Sequence, residues 1–313
     1  GGRLMNQCEE ILTQIKKAFV GKKDVARKIL MTMLAGGHVL LEDIPGVGKT
    51  TLAVAFSNAT DLQYKRIQFT PDVLPSDITG FSIFHRETGA MEYQPGAAIC
   101  NLLLADEINR ASSRTQSALL EAMEEGSVTV DGVTHLIPQP FTVIATQNPT
   151  GSAGTQLLPD SQLDRFMMRL SIGYPEPAAE REMLRRKHGE NHGQAVRKVA
   201  DAAALLTMRD EVSKVFVHEE LYDYIVRLAR ATREHKSIRQ GASPRCSVAA
   251  MALAQACSWM DGRDYVVPED VRAIYPDCTA HRLLLTAQAK AQGEQPRELL
   301  DEILRKTPAP KIR

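Results

Sequence analysis

Residues Gly46-Val47-Gly48-Lys49-Thr50 are suited to holding the phosphates of a nucleotide. They follow a short apolar run, His38-Val39-Leu40-Leu41, and lead into a helix-forming run that begins Thr51-Leu52-Ala53. A glycine-bearing loop between strand and helix turns backbone N–H groups toward one point, and the helix dipole favours an anion there. In that frame Lys49 reaches the β- and γ-phosphates and the Thr50 hydroxyl holds Mg²⁺. The general pattern asks for glycine five residues before Gly48. Asp43 stands there instead, a residue that tolerates left-handed backbone better than most.

Two further strand ends carry polar groups. Asn101-Leu102-Leu103-Leu104-Ala105 runs into Asp106-Glu107. Ligands of open α/β sheets bind at such carboxyl ends. Asp106 then contacts the Mg²⁺ shell, directly or through water, while Glu107 orients and deprotonates the water attacking the γ-phosphate. The plainer reading of the pair is an acidic helix cap. The run Phe141-Thr142-Val143-Ile144-Ala145-Thr146-Gln147 ends at Asn148-Pro149. If it lies beside the loop-bearing strand, the Asn148 amide stands between the γ-phosphate and Glu107, able to donate to both phosphate and water. Alone, Asn-Pro also reads as a turn.

The elements that must position these residues are legible. Apolar runs at residues 38–41, 65–69, 101–106, 141–147 and 166–172 predict strands, with helices over 5–19, 24–35, 50–58 and 113–125. Continuous rather than alternating apolar runs imply strands buried on both faces. The expected fold is α/β, an αβα sandwich on a mainly parallel sheet. Two hairpins interrupt it. Residues 81–84 and 91–94 flank Arg86-Glu87-Thr88-Gly89, and residues 127–130 and 133–137 flank Asp131-Gly132, a type I′ turn sequence. After Tyr174-Pro175-Glu176-Pro177 only helices are predicted, over 178–188, 199–215, 219–234, 246–261, 268–280 and 297–305. We therefore expect a nucleotide-binding core over 1–175 and a helical domain over 176–313.

Bulk properties narrow the class. Of 313 residues, 43% are hydrophobic and 24% charged, the balance of a globular protein. Lys plus Arg equals Asp plus Glu at 38 each, which disfavours a strongly electrostatic nucleic-acid or membrane partner. No apolar run reaches the ~18 residues of a membrane span. The start, Gly1-Gly2-Arg3-Leu4-Met5, lacks the apolar core of a signal peptide. Five scattered cysteines without a Cys-x-x-Cys pair point to reduced, buried thiols in the cytoplasm rather than a zinc site.

The order of these motifs, followed by a helical second half, resembles the MoxR group of AAA+ ATPases across nearly the whole chain. The matching residues are Leu41-Glu42-Asp43-Ile44-Pro45-Gly46-Val47-Gly48-Lys49-Thr50, the stretch from Gln68-Phe69-Thr70-Pro71 to Gly80, and Ala105-Asp106-Glu107-Ile108-Asn109-Arg110-Ala111. Ala145-Thr146-Gln147-Asn148-Pro149, Leu163-Asp164-Arg165-Phe166 and Gly241-Ala242-Ser243-Pro244-Arg245 complete the set. Asp43 is usual in this group. The resemblance implies ATP or ADP with Mg²⁺ as cofactors, bound by Val20, Gly21, Asp43, Pro45, Gly46, Val47, Gly48, Lys49, Thr50 and Thr51. Thr50 and Asp106 are the implied metal contacts. It implies that Glu107, Asn148, Arg165 and Arg245 are catalytic. Arg165 resembles the finger that a neighbouring subunit offers in trans, and Arg245 the lid arginine that touches the γ-phosphate in cis. Arg110 and Arg114 are further candidates for an interface.

The resemblance also implies a homo-oligomeric ring, most often a hexamer, whose all-helical lid moves about residues 174–177. It implies a chaperone-like role in maturing client proteins or inserting their metal or cofactor, with a von Willebrand factor A domain protein as partner. Both hairpins would project toward the central pore, making Phe81, Phe84, Tyr93 and residues 129–135 candidate client contacts; plain structural hairpins are the alternative. Two other readings remain: a nucleic-acid remodelling ATPase of MCM-like type, and a nucleotide-dependent switch with negligible turnover.

Overall fold

The computed structural model describes residues 2–21, 23–42, 48–147, 158, 160–189 and 195–312. Two helices, α1 (Gly2–Ala18) and α2 (Lys23–Ala35), precede strand β1 (Val39–Glu42) and helix α3 (Lys49–Thr60). Then come β2 (Tyr64–Gln68), the short α4 (Pro75–Thr79), hairpin β3 (Gly80–His85) and β4 (Ala90–Pro95), β5 (Leu102–Asp106) and α5 (Ser113–Glu125). A second hairpin, β6 (Ser127–Val130) and β7 (Val133–Leu136), leads to β8 (Thr142–Gln147), α6 (Asp160–Leu163) and β9 (Met168–Ser171).

The main sheet has the order β2-β5-β8-β1-β9, and every pairing in it is parallel. Side chains on a strand alternate between faces, and here both faces are covered. Val39, Leu41, Leu102, Leu104 and Ile144 pack with α1, α2 and α3 in one core. Leu40, Leu103, Ala105, Val143 and Ala145 pack with α5 in another. Each fully buried Leu or Val contributes roughly 1.5–3 kcal/mol, so the continuous apolar runs hold the sheet from both sides. The order puts β8 between β5 and the loop-bearing β1.

Both hairpins form. At the tip of the second, Asp131 (φ 50°) and Gly132 (φ 77°) are both left-handed, as a type I′ turn requires. The hairpins touch through Tyr93 and His135, whose rings stack with centroids 3.6 Å apart. Phe81, Phe84, Met91 and Leu136 are exposed.

The second half comprises α7 (Pro177–His188), α8 (Ala202–Ser213), α9 (Glu219–Glu234), β10 (Ile238–Gln240), α10 (Pro244–Met260), α11 (Pro268–Thr279), β11 (Leu284–Leu285), α12 (Ala287–Ala291) and α13 (Pro296–Lys306). It is helical apart from the antiparallel β10–β11 ribbon and one bridge between Phe216 and Tyr265. These strands of two or three residues are too short to show a period. The predicted helix over 199–215 begins later, at Ala202, where the Asp201 side chain accepts from Ala204 N and caps it. Helix α7 buries no side chain, whereas α8 and α10 pack on α2. Arg209 donates to the Met33 carbonyl at 2.8 Å and Lys28 meets Asp277 at 2.6 Å. All five cysteines are buried and free.

Two buried histidines tie the lower ends of the strands to their surroundings. His38 Nδ1 accepts from Val143 N at 2.9 Å, which leaves Nε2–H to donate to the Met123 carbonyl at 3.1 Å. Its burial lowers its pKa to about 4. His281 donates from Nε2 to the Phe166 carbonyl at 2.7 Å, and burial, then the Arg282 charge, keep it neutral. Neutral when folded, both charge in the unfolded chain below about pH 6.5. Their contribution is therefore complete above pH 6.5 and is lost as pH falls toward 4. For His38 we expect a loss on the order of 1–2 kcal/mol between pH 7 and pH 5. Urea unfolding at the two pH values checks this, and a His38→Asn variant should show a smaller difference between them.

Candidate nucleotide site

At the C-terminal edge of the sheet, Gln68 lies beside Asp106, and Glu42 lies between Gln147 and Ser171. Asp106 is the centre of this edge. Lys49 donates to its Oδ1 at 3.1 Å, Thr146 to the same oxygen at 2.7 Å, and Arg66 to its Oδ2 at 2.7 Å. Burial alone would raise its pKa. The hydrogen bonds from Arg66 and Thr146 and the charge and hydrogen bond of Lys49 outweigh that, leaving the carboxyl below its ordinary value. Asp106 is therefore an anion at neutral pH.

Glu107 follows in a left-handed conformation, φ 55° and ψ 54°. A non-glycine residue there costs on the order of 1 kcal/mol. Its N–H is fixed by the Thr146 hydroxyl at 2.8 Å, and its carboxylate, about a third exposed, lies 3.5 Å from Arg110. Thr146 thus accepts from Glu107 and donates to Asp106, locking the two acidic residues in one geometry. Beside them, Gln147 donates to Glu42 at 3.1 Å and Arg169 stands 3.4 Å from the same oxygen.

The loop enters α3 through Gly48, whose φ of 42° suits glycine. A Cβ there would meet the Phe19 ring at 3.2 Å, and one at Gly21 would meet it at 2.5 Å. Phe19 is buried against both glycines and lines a cleft with Leu12, Ile15, Val20 and Gly21, near Lys16 and Arg186. This cleft is large enough for a base, at about 450 Å³. Thr50 and Thr51 lie exposed in the first turn of α3. Asp43, Pro45, Gly46, Val47 and Asn148 lie outside the described residues. Asp106 and the Thr50 hydroxyl offer hard oxygen donors beside a phosphate loop, a set that fits Mg²⁺ rather than a soft metal.

Arg165 and Arg245 lie elsewhere. Arg165 precedes β9, and the next residue but one, Met167, bonds through its N–H to the His38 carbonyl at the start of β1. That is the N-terminal edge of the sheet, away from Lys49 by the length of the strands, roughly 15 Å at their rise per residue. Arg245 joins it there, donating to Glu124 at 2.9 Å, while Arg165 stands 3.5 Å from the other oxygen of Glu124. Arg245, which the resemblance sets against the phosphates of its own chain, thus stands at the opposite edge of the sheet from Lys49. Its helix α10 starts against Asp164, which accepts from Ser243 at 3.3 Å, and this anchors Arg245 there. Arg114 is exposed at the start of α5.

Sequence reasoning missed Thr146, Arg66, Phe19 and Glu124. Thr146 carried a usable signal, because it is a polar residue in the strand end already singled out. Arg66 and Glu124 carried none, since only the sheet order and the lid's position bring them to their partners. Replacing Thr146 with Val leaves the Glu107 N–H unpaired, a loss of roughly 1–3 kcal/mol in stability. We expect Thr146→Val to keep nucleotide affinity and lose about tenfold in turnover, with Thr146→Ser close to the parent. Calorimetry and a phosphate-release assay separate the two effects.

A sequence profile of the ATPase family associated with various cellular activities (AAA) matches residues 38–168, and an AAA lid domain profile matches residues 230–303. An uncharacterized Bacillus subtilis protein, YeaC, is 46% identical over 93% of this chain and 91% of its own. Chaperone MoxR1 of Mycobacterium tuberculosis is 38% identical over 98% of this chain and 84% of its own. Protein MoxR of Methylorubrum extorquens is 29% identical over 95% and 93%. The crystal structure of a provisionally assigned ATPase from Cytophaga hutchinsonii superposes with a TM-score of 0.92 at 38% identity, covering 98% of this chain and 96% of that one. With the parallel sheet, the acidic pair at its edge and the helical lid already in place, these likenesses settle the family: the chain belongs to the MoxR-type AAA+ ATPases.

Proposed function

We propose that this ATPase works as a ring of identical subunits, most simply a hexamer, with each ATP held by one copy and completed by the next. One observation carries this reading. Lys49, Asp106 and Glu107 gather at the C-terminal edge of the sheet, whereas Arg165 and Arg245 gather at the opposite edge, around Glu124. Neither arginine is placed to serve its own Lys49. A head-to-tail interface would bring the arginine edge of one copy onto the acidic edge of the next, and such interfaces close into rings.

In this reading Val20, Gly21 and Phe19 receive the adenine. The loop from Asp43 through Pro45, Gly46, Val47 and Gly48 to Thr51 cradles the phosphates with its N–H groups, and Lys49 turns from Asp106 toward the β- and γ-phosphates. Thr50 and Asp106 would hold Mg²⁺, which would supply neutralisation of phosphate charge. Glu107 takes a proton from the attacking water and Asn148 positions that water. Arg165 and Arg245 of the adjoining copy stabilise charge on the transferred phosphoryl, an effect worth ~10³–10⁵ in rate for one such arginine. We place the core–lid division at residues 175 and 176. No helix among the described residues is long and apolar enough to cross a membrane, which is compatible with action in the cytoplasm.

The role we assign is chaperone-like remodelling of a client protein, as the name of the Mycobacterium tuberculosis relative suggests. A partner with a von Willebrand factor A domain and metal or cofactor insertion belong to the same proposal. The exposed apolar side chains of the two hairpins are the contact surface it would use.

Lys49→Ala should abolish measurable ATP binding, as read by calorimetry. Arg165→Ala and Arg245→Ala should bind ATP like the parent and lose turnover by ~10³-fold or more for Arg165. Arg165→Ala and Glu107→Gln proteins, each inactive alone, should regain activity when mixed. A mixture that stays inactive would refute sharing of sites between copies.

A further inference from the structure

We propose that Glu124 is a positioning residue for this ATPase: its carboxylate holds Arg165 and Arg245 side by side as one two-guanidinium face. The inference rests on the shared-site reading above. Each arginine takes a separate oxygen of the same carboxylate, Arg245 Nη2 on Oε1 at 2.9 Å and Arg165 Nη1 on Oε2 at 3.5 Å. Two guanidinium groups repel when brought together, and one carboxylate between them cancels half of their charge. A guanidinium has five N–H donors, so a bond to Glu124 leaves others to meet a phosphate.

The mounting of Glu124 is rigid. It lies in the last turn of α5, which Gly126 closes in a left-handed cap with its N–H on the Ala122 carbonyl at 2.9 Å. The carbonyl of the preceding residue, Met123, accepts from buried His38. A second carboxylate braces the pair from behind. Asp164 lies 3.8 Å from Arg245 Nε and 2.9 Å from Arg282 Nε, and buried Arg282 donates to the carbonyls of Asp164 and Phe166. The face therefore joins Arg165 and Glu124 of the core to Arg245 of the lid. Asp164, Arg165, Arg245 and Arg282 line a cleft of about 440 Å³ that opens to solvent.

Exposure decides between a structural and a functional role. The side chains of Glu124, Arg165 and Arg245 are 39%, 33% and 51% exposed. Ion pairs this exposed contribute little to stability, so the folded state gains little from Glu124. Glu124 also stands at the far end of α5 from the acidic pair, about 16 Å from the first residue of that helix at 1.5 Å per residue. Changing it leaves the chain's own phosphate loop untouched.

Glu124→Gln is the test, because it keeps the shape and sets an amide donor against a guanidinium. We expect kcat to fall about tenfold, with the ATP dissociation constant and the melting temperature close to the parent's. Glu124→Asp should fall less. Glu124→Gln has an intact acidic edge and a faulty arginine edge, so mixing it with Glu107→Gln should give turnover above the sum of the two alone. The Arg165→Ala and Glu107→Gln mixture is run beside it. If Glu124→Gln turns over like the parent while that mixture recovers, the role of Glu124 is overturned and the shared site stands. A tenfold loss without recovery on mixing also overturns it, because the defect then lies in the chain's own site. If the Arg165→Ala mixture fails to recover, the shared site and this inference fall together.

Discussion

One carboxylate organises the reactive edge of this protein. Asp106 draws Lys49 from α3, Arg66 from β2 and Thr146 from β8 onto two oxygens. The three donors come from three elements, so the arrangement exists only if β5 lies between β2 and β8, with α3 folded over them. An unpaired buried carboxylate would cost several kcal/mol, and the donors remove that cost while keeping the group charged. The sheet order is thus what brings together the donors that hold the Asp106 carboxyl below its ordinary value. The two apolar cores maintain that order by fixing β1, β5 and β8 from both sides.

The opposite edge obeys the same logic with the charges exchanged. There the arginines come from the segment before β9 and from the start of α10, and the carboxylates of Glu124 and Asp164 gather them. Strand β1 connects the two edges. Its upper end feeds the phosphate loop, and His38 at its lower end bonds to Met123, the residue before Glu124. The two halves of the chain meet along α2, on which α8 and α10 pack, and again at this lower edge, where His281 and Arg282 both reach the Phe166 carbonyl. Helix α7, without a buried side chain, is the least anchored piece of the second half.

Much of this was legible in the sequence, for identifiable reasons. Strands β1, β5 and β8 announce themselves as apolar runs because both faces are covered, and the Asp131-Gly132 turn because its backbone excludes most other residues. Lys49, Asp106 and Glu107 were legible because each ends or follows such a run. The rest depends on which edges meet. Nothing local marks the left-handed backbone of Glu107, which Thr146 imposes from a neighbouring strand. The strands β10 and β11 are too short to show a period. The place of Arg245 was not legible, because the order of residues along a chain does not say which edge of a sheet the lid covers. Anchorage of α10 to Asp164 decides that, and it is a contact between residues about eighty positions apart.

The length of β1 has an outcome for inheritance. It sets the acidic edge and the arginine edge of one copy apart, so in the shared-site reading proposed above a copy whose arginine edge is damaged would still load fuel and spoil its neighbour's site instead. In an assembly drawn from intact and damaged copies, the harm then lands on healthy members. Lesions near Arg165 should behave as dominant, and those that stop the chain from folding as recessive.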